Sequence, residues 1–238
     1  MSADLEFALS LAADADEIAL SRFRASDLRV ETKPDLTPVS EADRAVEERL
    51  RQRIAADRPG ERVLGEELGA DGGEGPRWIV DPIDGTRNYT RGIPVWATLI
   101  AFDDRVAVVS APALGRRWWA TRGGGAFADG APIRVSAIDR LEDATVLVAL
   151  DQPTAPRAFA AWHLRGLGDF WAHMLVAEGA VEIAVEPAVA AWDMAAVQVI
   201  VEEAGGTFSD MLGNEHFDGG SAISTNGALH QTVLEYFR

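Results

Sequence analysis

The sequence predicts a layered fold of mixed α and β structure, with helices and strands grouped in blocks. Two stretches with helical spacing of apolar residues lie before residue 60, and a run from Val95 to Val135 is apolar or alternating between turn residues. Helical spacing then returns from residue 156 onward. Such grouping fits helices laid over sheets better than a regular alternation of strand and helix. At 238 residues the chain can bury a large core, as one unit or as two closely joined halves. A boundary near residue 140 is expected between an N-terminal half, 1–140, and a C-terminal half, 141–238.

Leu5, Ala8, Ala12, Ala15 and Ala19, flanked by Leu11 and Ile18, mark one face of an amphipathic helix over 3–24. Pro34 and Pro38 punctuate 28–39, which reads as extended chain and a turn. A second helix starts near Ser40, with Asp43 three residues on and Val46, Leu50 and Ile54 on one face. A short strand over 62–67 precedes the glycine-rich loop 69–75, and Trp78–Val80 reads as a buried strand. Helices are expected over 156–166 and 169–179, a strand over 181–187, and a helix over 192–206 stopped by Gly205 and Gly206. Ser221–Thr225 reads as a short buried strand, followed by a last helix.

Composition removes several function classes. A formal charge of −16 argues against a general nucleic-acid binder, which presents basic faces. The absence of cysteine excludes disulfides, zinc–thiolate sites and cysteine nucleophiles. No apolar run approaches the roughly 20 residues of a membrane span, and the N-terminus carries acids where a signal peptide needs bases. A cytoplasmic location is expected, with neither nucleic acid nor membrane as partner.

The chemistry concentrates in WIVDPIDGT, residues 78–86. Asp81 and Asp84 follow the buried strand, and Gly85 and Thr86 open a helix whose free N–H groups suit an anion. Cation and phosphate side by side suggest phosphate-ester chemistry. Glu66, Asp81, Asp84 and Asp193 all fall where an apolar strand ends or a helix begins, and in layered α/β proteins such ends collect at one sheet edge. Carboxylates converging there repel unless they take up protons or cations, and oxygen-only donors favour Mg²⁺, Mn²⁺ or Ca²⁺ over zinc. The Ile83 carbonyl offers a further oxygen.

A two-cation clamp is the expected solution for a phosphate monoester, with Asp43 and Thr86 as partners of the attacking water. Each acid also has a purely structural reading: Asp84 and Asp193 as helix caps, Asp43 in a capping box headed by Ser40, Glu66 and Glu67 as surface acids. The four histidines, His163, His173, His216 and His230, show no ligand spacing, and surface or partner-satisfied roles are expected of them. Pro82 stands two positions before Asp84, where a haloacid-dehalogenase-type phosphatase has its nucleophilic aspartate, so that mechanism fails. The P-loop pattern is absent, and RGGGAF (122–127) reads as a turn rather than a phosphate cradle.

With GEE at 65–67, DPIDGT at 81–86, WD at 192–193, TPVSEAD at 37–43 and TNGALH at 225–230, the chain resembles the inositol monophosphatase superfamily nearly end to end. The resemblance implies a layered αβαβα sandwich, a homodimer, and dependence on two Mg²⁺ ions, with Mn²⁺ able to substitute. It assigns Glu66, Asp81 and the Ile83 carbonyl to one metal, and Asp81, Asp84 and Asp193 to a second. A weakly held third ion near Asp43 and Glu66 is also a trait of the superfamily. Asp43 and Thr86 resemble the pair that orients water, while Gly85 and Thr86 resemble the phosphate-holding amides.

Within the superfamily the chain is most similar to the actinobacterial type of histidinol-phosphatase, through KPDLTPVSEADRAVE, RGIPVWATLIA, VSAPALGRRWWA, GDF at 168–170 and LVAEGAVEIAVEP. Ala111-Pro112 stands where polyol phosphatases of the superfamily carry Asn-Pro. The implied reaction is hydrolysis of L-histidinol phosphate in histidine biosynthesis. Asp169 and Glu186 are the expected contacts to the leaving group's cation, each with a structural reading as helix cap or strand-end acid. Inositol 1-phosphate or a broad set of sugar phosphates are the alternative substrates. A catalytically silent metal- or phosphate-binding regulator is the alternative class, and the intact acidic set argues against it.

Overall fold

The computed structural model describes residues 2–149 and 163–237. Helix α1 (Ala3–Arg22) is followed by a hairpin of β1 (Val30–Thr32) and β2 (Pro38–Ser40), and then by α2 (Glu41–Asp57). The first large sheet is built from β3 (Arg62–Gly65), β4 (Gly69–Ala70), β5 (Arg77–Asp84), β6 (Ala97–Phe102), β7 (Val106–Ala111), β8 (Arg116–Thr121), β9 (Gly125–Ala128) and β10 (Ala131–Pro132), with a five-residue helix α3 (Thr86–Thr90) inserted after β5. Its strand order is β10-β9-β8-β7-β6-β5-β3-β4, antiparallel except where β3 runs parallel to β5.

The second sheet comprises β11 (Thr145–Val148), β12 (His163–Arg165), β13 (Ile183–Glu186), β14 (Thr207–Ser209) and β15 (Ala222–Thr225) in the order β12-β11-β13-β15-β14. Helices α4 (Asp169–Ala177) and α5 (Ala191–Glu203) lie between the sheets, and α6 (His230–Glu235) covers the far face of the second.

Side-chain alternation sets the layers. On β5 and β6, Trp78, Val80, Ile100 and Phe102 face α1 and α2, while Ile79, Ala97, Leu99 and Ala101 face α4 and α5. Both faces are therefore covered, which explains why β6 and β7 read as unbroken apolar runs: all twelve of their residues are buried. The result is the αβαβα sandwich. The small residues Ala8, Ala12, Ala15 and Ala19 let α1 lie close on its neighbours.

Two local expectations are amended. The helix expected over 156–166 lies mostly outside the described residues, and its described end, His163–Arg165, is the strand β12. The strands β11 and β14 were not expected: at four and three residues they show too few positions for a period. The glycine loop 122–125 is indeed a turn, and its Gly123 and Gly125 N–H groups are held by the Glu203 carboxylate at 2.8 and 2.9 Å. No helix among the described residues is long and apolar enough to cross a membrane.

Candidate active site

The site is centred on an irregularity at the end of β5. Asp81 pairs with Leu99 and Asp84 with Ala97, so β5 spends three steps where β6 spends two. Strict alternation would send residues three apart to opposite faces; the extra residue restores a common side. Pro82, which has no N–H to donate, is tolerated at such a bulge, and its carbonyl accepts the Thr98 hydroxyl at 2.8 Å. Asp81, Asp84 and Asp193 thereby bring carboxylate oxygens within 4.8 Å of one another. Asp193 arrives from the first turn of α5, where its Oδ2 accepts the Ala190 N–H at 2.7 Å.

Asp84 does not cap the helix that follows it. Gly85 occupies that position without a side-chain cap, and Asp84 Oδ2 instead accepts the Phe170 N–H of α4 at 2.6 Å. Gly85 has φ of +82°, and a Cβ there would lie 3.0 Å from the Val95 carbonyl. Glycine is required on both counts.

Asp43 does form the capping box, since its Oδ2 accepts both the Ser40 N–H at 2.8 Å and the Ser40 hydroxyl at 2.5 Å. Its other oxygen faces the Thr86 hydroxyl at 3.1 Å, and that hydroxyl also lies 2.9 Å from the Ile83 carbonyl. The capping and functional readings of Asp43 are therefore compatible: one oxygen serves the helix and the other serves Thr86. With one proton and two acceptors, Thr86 donates to Asp43 whenever the Ile83 carbonyl is otherwise engaged.

A cavity of about 830 Å³ opens over these groups, with Glu66, Asp81, Ile83, Asp84, Gly85, Thr86, Asp169, Glu186 and Asp193 in its lining. Asp43 lies fully buried behind Thr86. Asp169 heads α4 with φ of +58°, and Asn88 Nδ2 approaches its Oδ2 at 3.5 Å. Glu66 shares the cavity, with Oε1 taking the Lys33 ammonium at 2.7 Å, while Lys33 reaches Glu67 at 2.8 Å. The extended chain and turn expected over 28–39 is the β1–β2 hairpin, but the contacts of Lys33 with Glu66 and Glu67 escaped the sequence reading. His173 also departs from expectation. It is wholly buried with Nδ1 at 2.7 Å from Ser224 Oγ, yet its Nε2 has no hydrogen-bond partner.

Electrostatics fit a site built for positive charge. Burial pushes Asp43 up to about 6 and Asp193 up to about 7. Asp81 is driven well above the carboxylate range by burial and by the charges of Glu66, Asp84 and Asp193. Asp84 rises for the same reason, with Asp169 its strongest charged neighbour. Burial raises Glu66 even though Lys33 opposes the shift. Three carboxylates, Asp81 and Asp84 buried and Asp193 half-buried, bring oxygens within 4.8 Å of one another with no nitrogen or sulfur, which matches a hard divalent cation.

Comparison with known proteins agrees with this geometry. The family model described as "Inositol monophosphatase family" matches residues 1–238. The histidinol-phosphatase of Mycobacterium tuberculosis is 51% identical over 250 residues, covering 97% of this chain and 96% of the relative. The histidinol-phosphatase of Streptomyces coelicolor is 46% identical, with 98% and 96% covered. The solved structure of the Thermotoga maritima IMPase superposes with a TM-score of 0.88 at 28% identity, covering 99% of this chain and 97% of that one. On this evidence, the chain belongs to the inositol monophosphatase family.

Proposed function

We propose that the protein is a Mg²⁺-dependent phosphatase that converts L-histidinol phosphate and water to L-histidinol and phosphate. The carrying observation is the convergence of Asp81, Asp84 and Asp193 in a cavity to which Asp169 and Glu186 add two more acids. The aspartate cluster suits cations and phosphate; the two added acids suit a cationic leaving group. Inositol is neutral, whereas histidinol carries an ammonium and a titratable imidazole whose positive charge such acids attract.

Glu66, Asp81, the Ile83 carbonyl, Asp84 and Asp193 would hold two divalent ions, with Mn²⁺ an acceptable substitute and a third weak site near Asp43 and Glu66. Bound there, the ions supply charge neutralisation and Lewis acidity toward the phosphate oxygens. The chain's own groups do the rest. Gly85 and Thr86 N–H groups hold a phosphate oxygen. The Thr86 hydroxyl accepts a hydrogen bond from the attacking water while donating to Asp43. A carboxyl pushed up to about 6 is well matched to taking a proton near neutral pH. The water oxygen bonds to phosphorus, the ester P–O bond breaks, and the departing alkoxide is protonated by solvent. The working unit is proposed to be a homodimer in the cytoplasm, which sedimentation of the purified protein checks for oligomeric state.

The test is phosphate release from histidinol phosphate, inositol 1-phosphate, fructose 1,6-bisphosphate and p-nitrophenyl phosphate. Histidinol phosphate should give the highest kcat/KM, and activity should vanish with chelator and return with Mg²⁺ or Mn²⁺. Glu186→Gln or Asp169→Asn should cut kcat/KM for histidinol phosphate about tenfold or more, below the full cost of breaking a buried charge pair because water replaces part of the contact. p-Nitrophenyl phosphate has no ammonium and should change far less. Equal losses on both esters would assign these acids to the metals or the fold.

A further inference from the structure

Glu186 ends β13, and its Oε1 is buried without a hydrogen-bond partner among the described residues. His173 Nε2 lies 3.5 Å from it, itself buried and without a hydrogen-bond partner among the described residues. A bridging water, with two bonds of about 2.8 Å meeting at a tetrahedral angle, spans roughly 4.5 Å between the groups it joins, so these two face each other directly. Their placement follows from the fold. Ser224 pairs with Ala184, two residues before Glu186 on the same face of the second sheet, and α4 covers that face. His173 lies four residues after Asp169 on α4, one turn deeper on the same side of the helix. Gly168 closes the other flank, for a Cβ there would sit 3.3 Å from Glu186 Oε1. The carboxylate is thus boxed between a glycine and an imidazole, with its second oxygen left for the cavity it lines.

We propose that His173 is a positioning residue for specificity: its Nε2–H holds Oε1 of Glu186 so that Oε2 meets the cation of the leaving group. The carboxylate beside Nε2 only accepts and so favours a proton there, and the Ser224 hydroxyl, able to donate or accept, adapts at Nδ1. With that hydroxyl donating to Nδ1, the ring proton resides on Nε2, facing the carboxylate. The 3.5 Å separation closes to a hydrogen bond when substrate draws Glu186 into place. This inference rests on the reading of Asp169 and Glu186 as the wall that meets the leaving group's cation. It adds the element that aims that wall, reaching from the second sheet through α4 to the substrate.

The experiment is a double-mutant cycle on the metal-loaded enzyme with His173→Phe, Glu186→Gln and the pair, alongside His173→Gln, Ser224→Ala and melting temperatures. His173→Phe should raise KM for histidinol phosphate about tenfold, the size of one hydrogen bond to a charged group, with kcat within about threefold. It should leave p-nitrophenyl phosphate hydrolysis within about twofold, and His173→Gln, which keeps a donor, should recover most of the loss. On the Glu186→Gln background, His173→Phe should add less than about twofold, because the two act as a unit. Additive losses, equal losses on both esters, or no loss would each overturn the proposal. If His173→Phe does not fold, Ser224→Ala decides: a KM rise of about threefold for histidinol phosphate alone supports it, and an unchanged KM overturns it. Should the wild type prefer an uncharged polyol phosphate, the substrate reading fails. The cycle run on that ester still decides whether His173 acts through Glu186.

Discussion

Asp84 shows how one carboxylate can answer to two demands. Its Oδ2 accepts the Phe170 N–H, tying the end of β5 to the first turn of α4, while burial and the charges of Asp169 and Asp193 make its ionised form costly. Asparagine keeps an acceptor for Phe170 and removes the charge. Asp84→Asn should therefore fold normally and melt within a few degrees of wild type in the absence of metal. Its kcat should fall at least about a hundredfold, the scale of losing a strong electrostatic contribution to the transition state. Circular dichroism melts and phosphate release check both halves, and a collapsed melt with normal residual turnover would leave Asp84 a structural acid only. Asp84 and Asp81 were visible in the sequence because acids rarely end an apolar strand without a reason. The Phe170 contact was not visible, because it joins residues 86 positions apart.

At the level of elements, the capping box of α2 doubles as a mount for chemistry. Ser40 holds Asp43 Oδ2 through both its N–H and its hydroxyl, and this fixes the direction in which Oδ1 meets Thr86. Ser40→Ala should cost about 1 kcal/mol, the usual price of a lost N-cap, or roughly 2–4 °C in Tm for a chain of this size. It should also lower kcat more than it raises KM, since Asp43 is placed against the water rather than the substrate. A lower Tm with unchanged kcat would mean the box serves the helix alone.

Helices such as α1 and α2 were legible because their apolar spacing extends over several turns. The β5 bulge was legible only in outline: Pro82 signalled an interruption, but which face each aspartate takes depends on pairing with β6. The Lys33 and His173 contacts were hidden for the same kind of reason, being set by how the β1–β2 hairpin and α4 lie on other elements.

For the whole molecule, the site is where the layers meet: Asp81 and Asp84 come from the first sheet, Asp193 and Asp169 from the helices between the sheets, and Glu186 from the second. The sandwich holds together there against mutual repulsion among carboxylates, and the consequence is a dependence of stability on pH. Asp43 near 6 and Asp193 near 7 bind their protons more tightly in the folded than in the unfolded chain, where an aspartate titrates near 3.8. Stability contributed by such groups is full below about pH 4 and is lost as pH rises to about 7. His230, held low by burial, works in the opposite sense between neutral and mildly acid pH, but it is one group against the acids of the site. The chelator-treated protein should therefore melt at a lower temperature at pH 8 than at pH 5.5. Excess Mg²⁺ binds the ionised site, so it should raise Tm more at pH 8 than at pH 5.5, by an amount that grows with Mg²⁺ concentration. Asp84→Asn should flatten both effects by removing one of the repelling charges. A chelated wild type that gains stability from pH 5.5 to pH 8, or a Mg²⁺ effect indifferent to pH, would show that the acids are neutralised within the fold and do not wait for a cation.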